Sequence, residues 1–134
     1  SGEHIAGAER DALVDWNGIK VGLFAVVQDW LASTEIKAGE ASYRDMVAVA
    51  HSTAQSLRSR GAEYVIALTH NRVPFDEALV DGVAHLGGGV DLFLGGHDHF
   101  YWHDAQRSFV KSGAEFRDLT HIRVEIPDVK GTGK

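Results

Sequence analysis

Three histidines carry the pattern most able to do chemistry. His97 and His99 stand one residue apart in Gly95-Gly96-His97-Asp98-His99, and His70 closes the apolar run Val65-Ile66-Ala67-Leu68-Thr69. Neutral imidazole is a good ligand for zinc, iron and manganese. In extended chain, residues i and i+2 face the same way with alpha carbons about 6 to 7 Å apart, so His97 and His99 could converge on one metal or straddle a close pair. Asp98 would then point to the opposite face. The two glycines let the backbone turn sharply and approach whatever is bound. In a chain with eight histidines the spacing alone is a weak signal. Its weight depends on where the fold puts the three rings.

Two elements must position them. Val90-Asp91-Leu92-Phe93-Leu94 has the length and residue types of a buried strand bounded by glycine, and the run ending at His70 reads the same way. Between them, Pro74 biases Val73 away from helix, so a helix begins near Phe75 or Asp76 and runs through Ala78, Leu79, Val83 and Leu86 to Gly87-Gly88-Gly89. Those glycines precede a strand, so they cap and turn and do not form a nucleotide loop. A strand–helix–strand crossover makes the strands parallel and brings their carboxyl ends to one edge, where ligands bind.

The rest of the chain supplies the sheet. Asn17-Gly18 between two β-prone runs, 12–16 and 19–27, predicts a two-residue type I′ hairpin whose second arm is a central strand. From Ala41 to Arg60 the apolar residues Tyr43, Met46, Val47, Ala50, Ala54 and Leu57 recur every three or four positions, a helix face that Gly61 ends. Residues 100–103, 108–111 and 119–126 read as strands of an antiparallel finishing sheet. Residues 1–11 read as a loose leader, with Ser1-Gly2 as a cloning remnant, and 127–134 as a frayed tail. The fold class is α/β, in one partial domain covering 1–134.

Composition narrows the function. The 134 residues are 44% apolar and 24% charged, the balance of a globular domain with a real core. Thirteen basic against nineteen acidic residues give a net charge of -6, which argues against nucleic acid as a partner. A phosphate substrate would need cations to offset that field. With no cysteine, disulfides, thiolate zinc sites and cysteine nucleophiles are excluded, and no G-x-S-x-G motif is present. No apolar run has the roughly 18 residues of a membrane span.

Ala67-Leu68-Thr69-His70, the segment from Val90 to His99, and Val110-Lys111-Ser112-Gly113-Ala114-Glu115-Phe116-Arg117-Asp118-Leu119 together resemble the C-terminal half of a calcineurin-like metallophosphoesterase domain of the 5'-nucleotidase / UDP-sugar hydrolase type. The resemblance runs from about Trp16 to Ile126. It implies the second half of a four-layer αββα sandwich and a complete enzyme that hydrolyses phosphate esters, of nucleotides above all, with water activated by two divalent ions, manganese, zinc, iron or magnesium. It further implies His70 and His97 as ligands of the second metal and His99 of the first. The D-x-H, G-D and G-N-H-[DE] motifs of that family's first half are absent from these residues, so no catalytic residue is expected here. The chain alone is then inactive, with weak or no metal occupancy. Relatives often read M-R-x-x-N-D where this chain has Asn71-Arg72-Val73-Pro74-Phe75-Asp76, with Phe75 replacing the asparagine.

Other polar residues have two readings each. Arg72 and Arg117 could bind phosphate as planar donors or form structural salt bridges. Asp98 and Asp76 could be acceptors that orient an imidazole, or Asp98 a solvated turn carboxylate. Trp30 reads as a lid on the core. His103 could share the face of His99 and act as a fourth ligand in a small single-metal protein; His4, His51, His85 and His121 have no assigned function. Half a sandwich leaves an apolar sheet face uncovered, which predicts a homodimer or strand exchange. The alternative function is a non-catalytic binding module that kept the fold and its histidines.

Overall fold

Asn17 and Gly18 both take positive φ, 55° and 86°, as a type I′ turn requires. They join β1 (Asp11–Trp16) to β2 (Ile19–Val27), and Asp15 Oδ1 accepts a hydrogen bond from the Gly18 amide at 2.8 Å. The computed structural model describes residues 8–37 and 39–126. After a short 3-10 turn at Leu31–Ser33 come α1 (Met46–Ser59), β3 (Tyr64–His70), α2 (Val73–His85), β4 (Leu92–Gly95), β5 (Tyr101–Asp104) and β6 (Phe109–Ser112). One six-stranded sheet results, in the order β1-β2-β3-β4-β6-β5. β2, β3, β4 and β6 are parallel neighbours, and β1 and β5 close the two edges antiparallel. The α/β class read from the sequence is the class observed.

Both helices pack on one face. α1 buries Met46, Ala50, Ala54 and Leu57, and α2 buries Leu79, Val80 and Val83, against Phe24, Val26, Val65, Ala67, Phe93 and Phe109 of the strands. Leu57 is fully buried because β2 offers Gly22 beneath it: a Cβ there would lie 3.1 Å from three Leu57 carbons. A leucine buried in this way contributes about 1.5–3 kcal/mol. The other face of the strands alternates with the first and, among the described residues, has no helix on it. Val27 and Leu68 on that face are 47% and 43% exposed.

Several boundaries differ from expectation for local reasons. α1 begins at Met46 rather than near Ala41, because the Asp45 side chain accepts from the Ala48 amide as an N-cap. Arg60 is its C-cap and Gly61, at φ 97°, turns the chain. α2 begins at Val73, with Pro74 in its first turn, where a missing amide is tolerated. Residues 119–126 form no strand. Ile122 and Val124 are exposed like Arg123 and Glu125 between and after them, and Thr120 to Glu125 bound a cleft of about 580 Å³ with Tyr64, Leu92 and Val110. Nor is the finish purely antiparallel, since β6 inserts parallel to β4 and leaves β5 outside. Of the leader, Asp11 belongs to β1 while 1–7 lie outside the described residues, as does the tail 127–134.

Candidate functional site

The carboxyl ends of β3 and β4 bring two of the three histidines together. His70 is the last residue of β3, and Thr69 pairs with Gly95 at the end of β4. Gly96 donates its amide to the Thr69 carbonyl at 2.9 Å, carrying the chain across the top of β3. A Cβ on Gly96 would sit 3.1 Å from His70 Nδ1, so glycine is what lets the backbone pass the imidazole. His97 then turns with φ 73°, a conformation few non-glycine residues adopt. Its Nδ1 ends 3.4 Å from His70 Nε2, with ring centroids 5.1 Å apart and nearly perpendicular.

That turn corrects the extended geometry expected for His97 and His99. β4 stops at Gly95, residues 97–100 form bends, and His99 is exposed, as is Phe100 after it. The structure therefore pairs His97 with His70 across two strands. Among the described residues no three histidine, aspartate or glutamate side chains are grouped as metal ligands. A catalytic zinc site ordinarily uses three protein ligands, so the residues present do not complete a metal site. His103 is exposed on β5 and belongs to no such group.

Trp30 packs over the pair more than over the core. Its Nε1 donates to the His70 carbonyl at 3.1 Å, its ring lies 4.6 Å from that of His97, and the Arg72 guanidinium sits 5.5 Å from the Trp30 centroid. Arg72 thus lies beside the histidines, stacked on the indole as guanidinium planes prefer. Arg117 does not join them through any contact shown: it pairs with Glu115 at 3.0 Å, both largely exposed.

Under the histidines lies a buried polar layer. Thr69, Asn71, Asp76 and Lys111 are all buried, as is Gln28, whose Oε1 accepts from the Arg72 amide at 2.8 Å. Thr69 Oγ1 and Asn71 Nδ2 donate to Asp76 Oδ1 at 2.7 and 2.9 Å, and the Gln28 amide donates to Asn71 Oδ1. Phe75, which stands where the resemblance has an asparagine, is 45% exposed. Asp98 Oδ2 accepts from the Val73 amide at 2.9 Å and from Lys111 Nζ at 3.0 Å. Burial pushes its carboxyl up, but the Lys111 hydrogen bond and charge, the Val73 amide and the nearby His97 outweigh that and hold it below the usual carboxylate range. Neither aspartate is shown hydrogen-bonded to an imidazole; both serve the lysine.

Lys111 is the residue whose role the sequence did not suggest. A signal existed: β6 alternates faces, so burying Phe109 on the helix side commits Lys111 to that side too.

No protein-family model matches the chain, and no curated protein gives a significant match. Solved structures do. The crystal structure of calcineurin-like phosphoesterase YfkN from Bacillus subtilis aligns with TM-score 0.62 at 20% identity, over 78% of this chain and 41% of that one. A hypothetical protein from Thermus thermophilus aligns with TM-score 0.56 at 14% identity, over 82% of this chain and 42% of that one. The chain thus spans about two-fifths of the length of either neighbour, and over that span its sheet and helices have the fold of a calcineurin-like phosphoesterase.

Proposed function

We propose that this chain supplies the histidine-bearing edge of a phosphoesterase of the 5'-nucleotidase type, a hydrolase of nucleotide phosphate esters. The observation that carries the reading is the contact between His70 and His97 at the carboxyl ends of neighbouring parallel strands, the edge at which open α/β sheets bind ligands. Its fold likeness to a phosphoesterase gives that edge a chemical class. Two imidazoles offer nitrogen donors to a metal or hydrogen bonds to a phosphoryl oxygen, and Arg72 beside them adds a planar cationic donor. A metal enters this reading only with ligands from outside the described residues, since His99 is not grouped with the pair. The chain by itself is therefore inactive. The same reading places a second copy, through association or strand exchange, on the exposed apolar face of β2 and β3. A monomeric mass in light scattering at micromolar concentration would remove that part.

The test is hydrolysis of 5'-AMP and an aryl phosphate with added manganese, by this chain and by any longer product of its gene. Turnover by the longer protein alone, lost in His97→Ala, is the expected result. No turnover by either, whatever the divalent ion, leaves the non-catalytic binding module. Turnover by this chain alone would show that its own residues suffice.

A further inference from the structure

Lys111 is 1% exposed and Asp76 beside it is fully buried. An ammonium has three N–H donors. Here they go to the Asn71 carbonyl at 2.7 Å, the Gly96 carbonyl at 2.7 Å and Asp98 Oδ2 at 3.0 Å. Asn71 directly follows His70, and Gly96 and Asp98 flank His97 on either side. One cation thus holds the chain next to both imidazoles. With its donors spent, it gives Asp76 Oδ2, 2.8 Å away, charge attraction without a hydrogen bond, and that oxygen is buried with no other donor.

We propose that Lys111 is the positioning residue of the histidine pair, fixing the separation of His70 and His97 by binding the chain beside each. This rests on the reading of that pair as the working site. Burial of a lysine among carboxylates is costly, and an apolar replacement of such a cluster is often neutral or stabilising, so stability alone does not account for it. Convergence does: three acceptors from the chain just beyond β3 and β4 meet at one nitrogen that neither strand contributes. The stem reaches them because Gly95 has no side chain; a Cβ there would lie 3.0 Å from Lys111 Cγ. An apolar residue or a glutamine at 111 could not serve three acceptors at once, and the turn at His97 would lose two of its anchors.

The test is nuclear magnetic resonance of the 134-residue chain labelled with 15N-histidine, comparing wild type, Lys111→Gln and the charge-neutral Lys111→Gln/Asp76→Asn. His51, bonded to the Gly88 carbonyl, and His85 on α2 are internal references for the helical layer. The expected result is loss of the His70–His97 ring cross-peak and displaced signals for both, with His51 and His85 unmoved, in at least the double variant. A folded variant that keeps the cross-peak overturns the proposal. So does loss of the His51 and His85 signals in both variants, since Lys111 would then be a general stabiliser. No metal or substrate is present in the measurement, so its outcome is independent of the phosphoesterase reading. That reading is tested separately by manganese titration and turnover.

Discussion

The two faces of this sheet are built from the same strands and are almost equally apolar, yet they meet different fates. Val65 and Ala67 of β3 lie under α1 and α2 and are fully buried, while Leu68, the next residue, is 43% exposed on the far side. Alternation along a strand decides which face a residue takes, and only a second layer decides whether that face is covered. Hydrophobicity is thus a demand for cover rather than evidence of it. The difference makes the open face the place where further structure, from a second copy or from other chain, would have most to gain.

The largest expected effect sharpens this contrast directly. Leu79→Ala, on the covered side, should cost about 2–5 kcal/mol in denaturant unfolding, whereas Leu68→Ala on the open side should stay within about 0.5 kcal/mol in the dilute, monomeric chain. Equal costs would mean that the open face is covered in solution. Next come two adjacent glycines. A Cβ at Gly95 would lie 2.5 Å from Phe109 Cζ in the packed layer, so Gly95→Ala should lose about 1–3 kcal/mol by overpacking. At Gly96 the nearest obstacle is the His70 ring, so Gly96→Ala should move that ring's resonances more than the unfolding midpoint.

The smallest effect tests the rim of the covered face. Arg107 on the β5–β6 turn bonds Asp81 of α2 at 2.8 Å and Asp104 at 2.8 Å. Hydrogen bonds from Arg107, with its charge, hold both carboxyls below their usual range. Carboxylates with depressed folded pKa values contribute stability above their unfolded pKa and lose it as pH falls through the folded one. Arg107→Gln should therefore be slightly less stable than wild type at neutral pH, with the gap closing on acidification. A gap that widens in acid would refute the assignment.

The sequence was legible where one local interaction dominates. Asn17-Gly18 left one turn type open, and the spacing of Met46, Ala50, Ala54 and Leu57 left one helix face. The meeting of His70 with the glycine-histidine turn was legible as well, because a βαβ crossover has few other geometries. What escaped depended on distant partners. The turn at His97 is anchored on both sides by a lysine from β6, and an extended H-x-H was the simplest local reading. Lys111 escaped because a charged side chain is ordinarily solvated, and only the packing of Phe109 against Phe93 and Trp102 forces its neighbour two residues on into the interior. Residues 119–126 had a strand's alternation, but alternation makes a strand only with a ladder partner, and among the described residues they pair with no strand of the sheet.

The two helices differ in where their first turns find a cap. α1 carries its own in Asp45, one residue ahead of it, so it can form early from a short stretch of chain. α2 has no side-chain cap of its own, and its Val73 amide is held by Asp98, 25 residues later. That bond cannot exist until β4 has docked and the turn after it has closed. The start of α2 is thus a clock for assembly: during refolding, the Val73 amide should gain protection from hydrogen exchange later than the Ala48 amide of α1.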